Sequence, residues 1–147
     1  MNYRKATTSD LPFMIDIERK SFNEIDRFKI YQIKHFLNNK NQSIITDIIL
    51  KDNVPVGWAT YFTRKNSSGV RLYTFCIDPA FRGKGFGKEY LKLRIGEFKR
   101  NFKKITLEAR ESNHSAVKLY ESLGFKKRKI LKNYYLDEDG IKMELCF

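Results

Sequence analysis

Three glycines at alternate positions, Gly83, Gly85 and Gly87, form the part of this sequence whose composition points most directly to chemistry. They lie between a β-branched and aromatic stretch at residues 70–77 and an amphipathic stretch typical of a helix. Glycine lets the backbone approach a ligand closely, and the N–H groups at a helix N-terminus carry a partial positive charge. The sequence therefore predicts that the backbone N–H groups of this loop bind an anion such as a phosphate.

The spacing of the loop excludes two common phosphate-binding patterns. A Walker A loop needs Ser or Thr after its Gly-Lys pair, whereas Gly87-Lys88 is followed by Glu89. A dinucleotide-binding loop of the form G-x-G-x-x-G would need its third glycine at Lys88. The pattern that fits is Arg/Gln-x-x-Gly-x-Gly/Ala, which Arg82, Gly85 and Gly87 supply. A plain glycine-rich turn between a strand and a helix is the alternative interpretation.

Three polar residues further along the chain are candidates for proton transfer or ligand contact. Glu108 lies in an alternating stretch at residues 105–110, which follows the helix and predicts a strand parallel to residues 70–77. Parallel strands are usually covered on both faces, so a carboxylate there indicates a cleft, with an exposed ion pair as the alternative. Asn113 and Tyr120 lie seven residues apart, on one face of a predicted short helix.

Length and composition indicate a single folded domain over residues 1–147. The chain is 41% hydrophobic and has a net charge of +12, which favours solubility or attraction to phosphates or a ribosomal surface. No apolar run approaches the roughly 20 residues of a membrane span, and the stretch MNYRKATTSD lacks the apolar region typical of a signal peptide. The two cysteines form neither a disulfide framework nor a metal-binding spacing. These features predict a cytoplasmic protein without a membrane contact or a metal.

The periodicity of apolar residues predicts six strands and four helices. The strands are expected at residues 2–6, 43–50, 55–64, 70–77, 105–110 and 142–147. Helices are expected at residues 10–22, from Phe28 to about Asn38-Asn39, after the glycine loop, and from Asn113 onwards. Turn signals between the second, third and fourth strands predict an antiparallel meander, and Gly57 predicts a β-bulge.

Two motifs together resemble the GNAT superfamily of N-acetyltransferases. One is the glycine loop after Ile-Asp-Pro, and the other is LEARESNHSAVKLYESLGF at residues 107–125. The nearest form is that of the ribosomal-protein-alanine N-acetyltransferases, which the ending Lys132-Asn133-Tyr134-Tyr135 also resembles. The resemblance is strong over residues 70–147. In the first 65 residues it is limited to the order of the predicted strands and helices. The usual Pro-Trp pair after the first helix is absent, because this chain has Phe22-Asn23-Glu24 there.

The resemblance implies an α/β fold with a mixed central sheet of about seven strands and four helices. It also implies that strands 4 and 5 splay apart and that acetyl-CoA, the co-substrate, binds between them without a metal. Arg82 would support the glycine loop, and Asn113 would orient pantetheine or a water molecule. The remaining predicted contacts are backbone groups: Phe75, Cys76 and Ile77 for pantetheine, and Gly83, Lys84, Gly85, Phe86, Gly87 and Lys88 for the pyrophosphate.

The resemblance also assigns roles in direct acetyl transfer. Glu108 is the predicted general base, acting through a water molecule, and Tyr120 is the predicted acid that protonates the departing sulfur. An N–H group near Ile77 would polarise the acetyl carbonyl. Tyr134 and Tyr135 are predicted to contact the acceptor. Ordinary core packing is the alternative for both residues and for Tyr120. Cys76 is not predicted to act as a nucleophile, because no covalent enzyme intermediate is needed.

The resemblance favours the N-terminal α-amine of a protein, for example a ribosomal protein, as the acceptor. One alternative acceptor is a small amine, such as a polyamine, an amino acid or an aminoglycoside. A second alternative is a non-catalytic basic module that binds ribosomal RNA or protein, although nucleic acid is not required by the first reading. Glu18, Glu24 and Asp26 could meet a cationic amine, but solvated charges at a helix end are the favoured interpretation.

Overall fold

The computed structural model describes residues 1–38 and 40–147, which form one seven-stranded sheet and four α-helices. No helix in these ranges is long and apolar enough to cross a membrane. The strands are β1 (Asn2–Lys5), β2 (Ile44–Lys51), β3 (Val54–Thr63), β4 (Gly69–Ile77), β5 (Lys104–Arg110), β6 (Lys126–Leu131) and β7 (Gly140–Cys146). The helices are α1 (Leu11–Ser21), α2 (Ile30–Phe36), α3 (Phe86–Phe98) and α4 (His114–Ser122).

The strand order is β1-β2-β3-β4-β5-β7-β6, with a parallel pair at β4–β5 and antiparallel pairs elsewhere. This arrangement confirms the predicted mixed sheet and the number of helices. The sequence did not locate β6, because KKRKIL lacks alternation of apolar and polar residues. Its exposed basic side chains suit an edge strand, where charge discourages pairing with another chain.

Apolar side chains cover the two faces of the sheet unequally. One face packs against α3 and α4 along β2 to β5 and β7, with Tyr90, Leu107 and Met143 at its centre. The other face packs against α1 and α2, and its buried strand residues come from β2, β3 and β4. Within the described residues, the same face of β5 and β7 therefore has no buried apolar cover. Glu108 of β5 lies on this open face.

Two local predictions can be compared directly with the structure. The second helix begins at Ile30 and ends at Phe36, so it is shorter than predicted, and the predicted end at Asn39 lies outside the described residues. The bulge predicted at Gly57 is confirmed, because the β2–β3 register shifts beside it. A Cβ atom on Gly57 would lie 2.4 Å from the Cys76 carbonyl oxygen, so the close approach of β4 requires glycine there.

Glu18 is buried in α1, so the expectation of a solvated charge is wrong for this residue. Its side chain follows Met14 by one helical turn and therefore shares the buried face, where the residue is 1% exposed. Oε2 accepts a hydrogen bond from the Phe28 N–H at 2.7 Å, while Oε1 has no partner among the described residues. Burial outweighs this bond and the charge of Arg27, and raises the pKa of Glu18 to about 7.

We expect Glu18→Gln to change the pH dependence of stability. Because the native pKa is raised, the carboxyl ionises from about pH 4.5 in the unfolded chain but only near pH 7 in the native protein, so the free energy of unfolding falls as pH rises between these values. Glutamine cannot ionise and still accepts from Phe28. Urea denaturation should show the free energy of unfolding of the variant, relative to the parent, rising by about 1–3 kcal/mol between pH 4.5 and pH 8.5. The same difference at both pH values would contradict this account.

Candidate active site

The two parallel strands separate halfway along their length. Pairing between β4 and β5 extends from Gly69 to Leu72, although β4 continues to Ile77. The β3–β4 register shifts at the same level and leaves Tyr73 as an extra residue on β4. Such a β-bulge bends its strand. The predicted splay of strands 4 and 5 is therefore confirmed, and the bulge accounts for its position.

The separated part of β4 directs some of its backbone groups into the gap. Hydrogen-bonding direction alternates along a strand, and the Asp78 N–H donates to the Val56 carbonyl on β3 at 2.8 Å. Phe75 and Ile77 therefore turn their backbone groups away from β3, towards the gap. The backbone groups of Cys76 point towards β3. Its side chain is buried, and this burial raises the pKa of the thiol. A protonated thiol of this kind does not act as a nucleophile.

The glycine loop leaves its N–H groups free and its outer surface open. Gly83 and Gly85 have φ values of +78° and +80°, the left-handed region that favours glycine. A Cβ atom on either residue would meet nothing within 4 Å. In residues 1–38 and 40–147, no acceptor is found for the N–H groups of six consecutive residues: Gly83, Lys84, Gly85, Phe86, Gly87 and Lys88.

Arg82 ties this loop to two elements of the scaffold. Its Nε donates to the Ile77 carbonyl oxygen at 2.9 Å, and its Nη2 donates to Ser21 Oγ at 2.9 Å. The loop is therefore fixed between the end of β4 and the end of α1. Gly87 brings α3 close to the strand, because a Cβ atom there would lie 2.9 Å from Phe75 Cζ.

Glu108 lies on the open face of β5, next to the point where pairing with β4 ends. Its side chain is 16% exposed, and its Oε2 lies 3.0 Å from Arg71 Nε. Arg71 Nη2 also donates to the Tyr134 hydroxyl at 3.1 Å. Glu108 and Tyr134 line a groove of about 760 Å³. Glu108 was predicted either to line a cleft or to form an ion pair, and in the structure its carboxylate does both.

Tyr120 and Asn113 belong to α4, on the other face of the sheet. The Tyr120 ring packs against Phe125 with centroids 5.8 Å apart, and its hydroxyl has no hydrogen-bond partner among the residues described. Burial, and to a smaller extent Tyr135 and Cys76, raise the pKa of Tyr120, so its hydroxyl is protonated at neutral pH. Asn113 is the N-cap of α4, where its Oδ1 accepts from the Ala116 N–H at 3.3 Å.

Tyr135 packs edge-on against Tyr134, with ring centroids 5.0 Å apart. Burial and the neighbouring Tyr134 raise the pKa of Tyr135 to about 12, with a smaller effect from Glu108. Tyr135 in turn raises the pKa of Tyr120. The residues predicted as base and acceptor contacts, Glu108, Tyr134 and Tyr135, are thus linked by direct contacts through Arg71, whereas the predicted acid, Tyr120, packs on the α4 side of the sheet.

Arg110 joins the two loops that flank this region, a feature that the sequence did not predict. Its guanidinium contacts Asp26 before α2 at 2.6 Å, and Asp137 and Glu138 before β7 at 2.6 and 2.9 Å. It also lies 4.4 Å from the centroid of the Tyr135 ring. Asp26 is thus occupied by an ion pair within the protein.

A match to a protein-family model decides what kind of protein carries this site. The model described as Acetyltransferase (GNAT) family matches residues 11–125, which include the loop, the gap and α4. The chain belongs to the GNAT acetyltransferase family. It is therefore an acetyl-CoA-dependent N-acetyltransferase, as the two sequence motifs implied.

Individual relatives of this acetyltransferase agree with the family match. The [ribosomal protein bS18]-alanine N-acetyltransferase of Escherichia coli K12 is 31% identical over 134 residues, covering 90% of this chain and 86% of the relative. The crystal structure of the ribosomal-protein-S18-alanine N-acetyltransferase from Escherichia coli matches with a TM-score of 0.84 and 27% identity. The match covers 99% of this chain and 92% of that one. A chimera of spermidine N-acetyltransferase from Vibrio cholerae has a TM-score of 0.87, 18% identity and coverage of 99% and 94%, which shows the shared fold.

We expect Gly85→Val in this acetyltransferase to weaken acetyl-CoA binding more than folding. A β-branched residue at a φ of +80° is strained by about 1–3 kcal/mol, and its side chain would enter the open space above the loop. Calorimetry should show the dissociation constant for acetyl-CoA rising by about tenfold or more, a loss of about 1.4 kcal/mol.

Gly96→Val is a matched control for this substitution. Gly96 lies near the C-terminal end of α3, and a Cβ atom there also meets nothing within 4 Å. The control should bind acetyl-CoA like the parent. A folded Gly85→Val variant with parental affinity would remove the argument that the loop holds the phosphates.

Proposed function

We propose that this enzyme acetylates the N-terminal α-amine of a protein, with Glu108 as general base and Tyr120 as general acid. The observation that carries the proposal is the position of Glu108, which of the β5 residues that line the groove lies nearest the gap. The groove continues along β4 and β5 to Gly69 and Lys104, which leaves space for an acceptor that extends beyond its amine. The 31% identical relative from Escherichia coli, named for acetylating an alanine of a ribosomal protein, supports the same class of acceptor.

The glycine loop and the gap between β4 and β5 can hold acetyl-CoA, the acetyl donor. The six free N–H groups from Gly83 to Lys88, at the N-terminus of α3, would hold the pyrophosphate. The backbone groups of Phe75 and Ile77 would hold pantetheine in the gap, as an added strand. Asn113 could contribute its side-chain NH₂ group, because its Oδ1 already caps α4. Bound acetyl-CoA supplies the acetyl group as a thioester.

The residues around the gap can perform the proton transfers. An amine attacks only in its neutral form, so Glu108 takes a proton from it, directly or through a water molecule. Arg71 fixes the orientation of the carboxylate through its contact at 3.0 Å. The Ile77 N–H faces the gap and can stabilise charge on the acetyl oxygen. The protonated Tyr120 hydroxyl then gives its proton to the departing sulfur.

The charge of the groove argues against the polyamine alternative. Four cationic side chains, Arg64, Arg71, Lys104 and Lys142, and one carboxylate, Glu108, line it, which gives a net charge of +3 with His35 neutral. A polycation would be repelled by this surface. The spermidine N-acetyltransferase neighbour shares the fold at 18% identity, and this likeness does not extend to the acceptor.

The experiment that tests the proposal is a competition among acceptors. The full chain is incubated with acetyl-CoA, an alanine-terminated peptide that contains one lysine, the same peptide with a blocked N-terminus, free alanine and spermidine. Tandem mass spectrometry should locate the acetyl group on the α-amine of the unblocked peptide. Acetylation of spermidine, of free alanine or of the lysine side chain, with the α-amine unmodified, would contradict the proposal.

A further inference from the structure

The groove beside Glu108 is strongly basic. It contains the four cationic side chains Arg64, Arg71, Lys104 and Lys142 and the carboxylate of Glu108 at the end next to the gap. Its cationic residues come from the end of β3 and from β4, β5 and β7, so the charge depends on the folded sheet and not on a charged run of sequence. A net charge of +3 in a concave surface focuses a positive potential.

Two of these cations have no counter-ion among residues 1–38 and 40–147. Arg71 pairs with Glu108, and Lys104 lies 3.6 Å from Glu144 on β7. Arg64 and Lys142 form no ion pair with any residue in the described part of the chain. Their charges are therefore available to a ligand in the groove.

The dimensions of the groove match a short extended segment of chain. Lys104 and Glu108 are four residues apart on one strand, a distance of about 13 Å at roughly 3.3 Å per residue. An acceptor with its amine at Glu108 would place about four following residues along the groove. The first of them lies near Arg71 and near Lys142, which stands opposite Glu108 on β7, and the later ones lie near Lys104 and Arg64.

We infer that the preferred acceptor is a peptide with acidic residues within the first few positions after its amine. This inference rests on the proposed function and adds the chemistry of the residues that follow the N-terminus. The carboxylate of Glu108 faces the cationic amine, whereas the basic groove faces the acidic side chains. The acceptor thus has a dipolar pattern, positive at the amine and negative beyond it, that complements the site.

An RNA strand is the other anion that a basic groove attracts, and the observations favour the peptide. Glu108 stands at the inner end and repels a phosphate, but it attracts an amine. Two aromatic rings that line the groove are already packed, Phe62 against Tyr73 and Tyr134 against Tyr135, with centroids 4.4 and 5.0 Å apart, which leaves less ring surface for stacking of bases.

The test compares three peptides that differ only in the charge of positions 2–5. All begin with alanine and have the same length, with glutamate, glutamine or lysine at these four positions. Mass spectrometry gives kcat/KM for each peptide, and fluorescence anisotropy with labelled peptides gives the dissociation constant independently of turnover. We expect kcat/KM to be highest for the acidic peptide, lower for the neutral one and lowest for the basic one. The acidic and basic peptides should differ by at least about tenfold, and this difference should shrink as the salt concentration rises.

A double charge reversal, Arg64→Glu with Lys142→Glu, tests whether the groove causes the preference. We expect this variant to bind the acidic peptide less tightly and to favour the basic one. The matched control is Lys92→Glu with Lys99→Glu, which changes the net charge equally at exposed positions in and just after α3. The control should keep the order of the parent.

The outcomes separate this inference from the function on which it rests. Equal acetylation of the three peptides, a preference for the basic one, or an order unchanged by the groove reversal would overturn the inference and leave the proposed function standing. Tighter binding of a short single-stranded RNA than of the acidic peptide would assign the groove to nucleic acid and also overturn it. Acetylation of spermidine with no peptide modified would overturn the proposed function itself.

Discussion

Tyr120→Phe should lower the rate of acetyl transfer by roughly 10²–10⁴-fold, the range typical of a lost proton donor. The substitution deletes the hydroxyl, which has no hydrogen-bond partner among the described residues, and it retains the ring that packs on Phe125. The free energy of unfolding and the affinity for acetyl-CoA should therefore change little. Stopped-time mass spectrometry of the acetylated peptide measures the rate.

Two comparisons distinguish the chemical role of Tyr120 from packing. Tyr61→Phe removes a buried hydroxyl that bonds to Tyr90 at 3.0 Å on the same face of the sheet. It should cost about 1 kcal/mol of stability and leave the rate near that of the parent. An acetyl donor with a more acidic thiol needs less protonation and should narrow the deficit of Tyr120→Phe. If Tyr120→Phe transfers acetyl at the parental rate, this residue is a packing residue and a different group protonates the sulfur.

Glu108→Gln should lower the rate at neutral pH by roughly 10²–10⁴-fold, because glutamine cannot accept the proton of the amine. The amide oxygen can still accept the hydrogen bond from Arg71, so the groove should keep its shape. The deficit should shrink at higher pH, where more of the acceptor is already neutral. The measurement is the rate of transfer to one peptide across pH 6 to 9.5 for parent and variant.

Glu144→Gln is the control for loss of a charge on the same open face. Glu144 lies on β7 beside Lys104 and Arg128, at 3.6 and 3.4 Å. Its removal should change the rate by only a fewfold, through weak electrostatic effects. A deficit of Glu108→Gln that stays constant with pH would show that the carboxylate positions the acceptor and does not take its proton.

Local patterns sufficed for the features in which neighbouring residues act together. The glycine loop and the Asn113-to-Tyr120 face depend on residues close in sequence. In the structure the loop leads directly into α3, and Asn113 caps the helix that carries Tyr120. The meander and the splayed parallel pair followed from turn signals and from the order of strands and helix. The boundaries differ by one or two residues at most strand ends, where strands fray.

Features that depend on long-range register could not be read from the sequence. Arg71 faces Glu108 because β4 and β5 pair with Arg71 opposite Thr106, and no local pattern states this register. The bulge at Tyr73 likewise arises from pairing with β3. Glu18 looked like a solvated charge, although helical geometry places it one turn after the buried Met14. The basic groove joins cationic residues of β4, β5 and β7 with Arg64, which follows β3, and these residues are distant in the chain.

The central claim is that acetyl transfer takes place in the gap between β4 and β5. A crystal structure of the enzyme with a conjugate in which coenzyme A is joined through an acetyl bridge to the α-amine of an acidic peptide tests it most directly. The account predicts the pyrophosphate on the N–H groups of Gly83 to Lys88, and the bridge in the gap within reach of Glu108 and Tyr120. It also predicts that the peptide extends along the groove towards Lys104. A conjugate whose bridge lies outside the gap, or whose phosphates avoid the glycine loop, would contradict it.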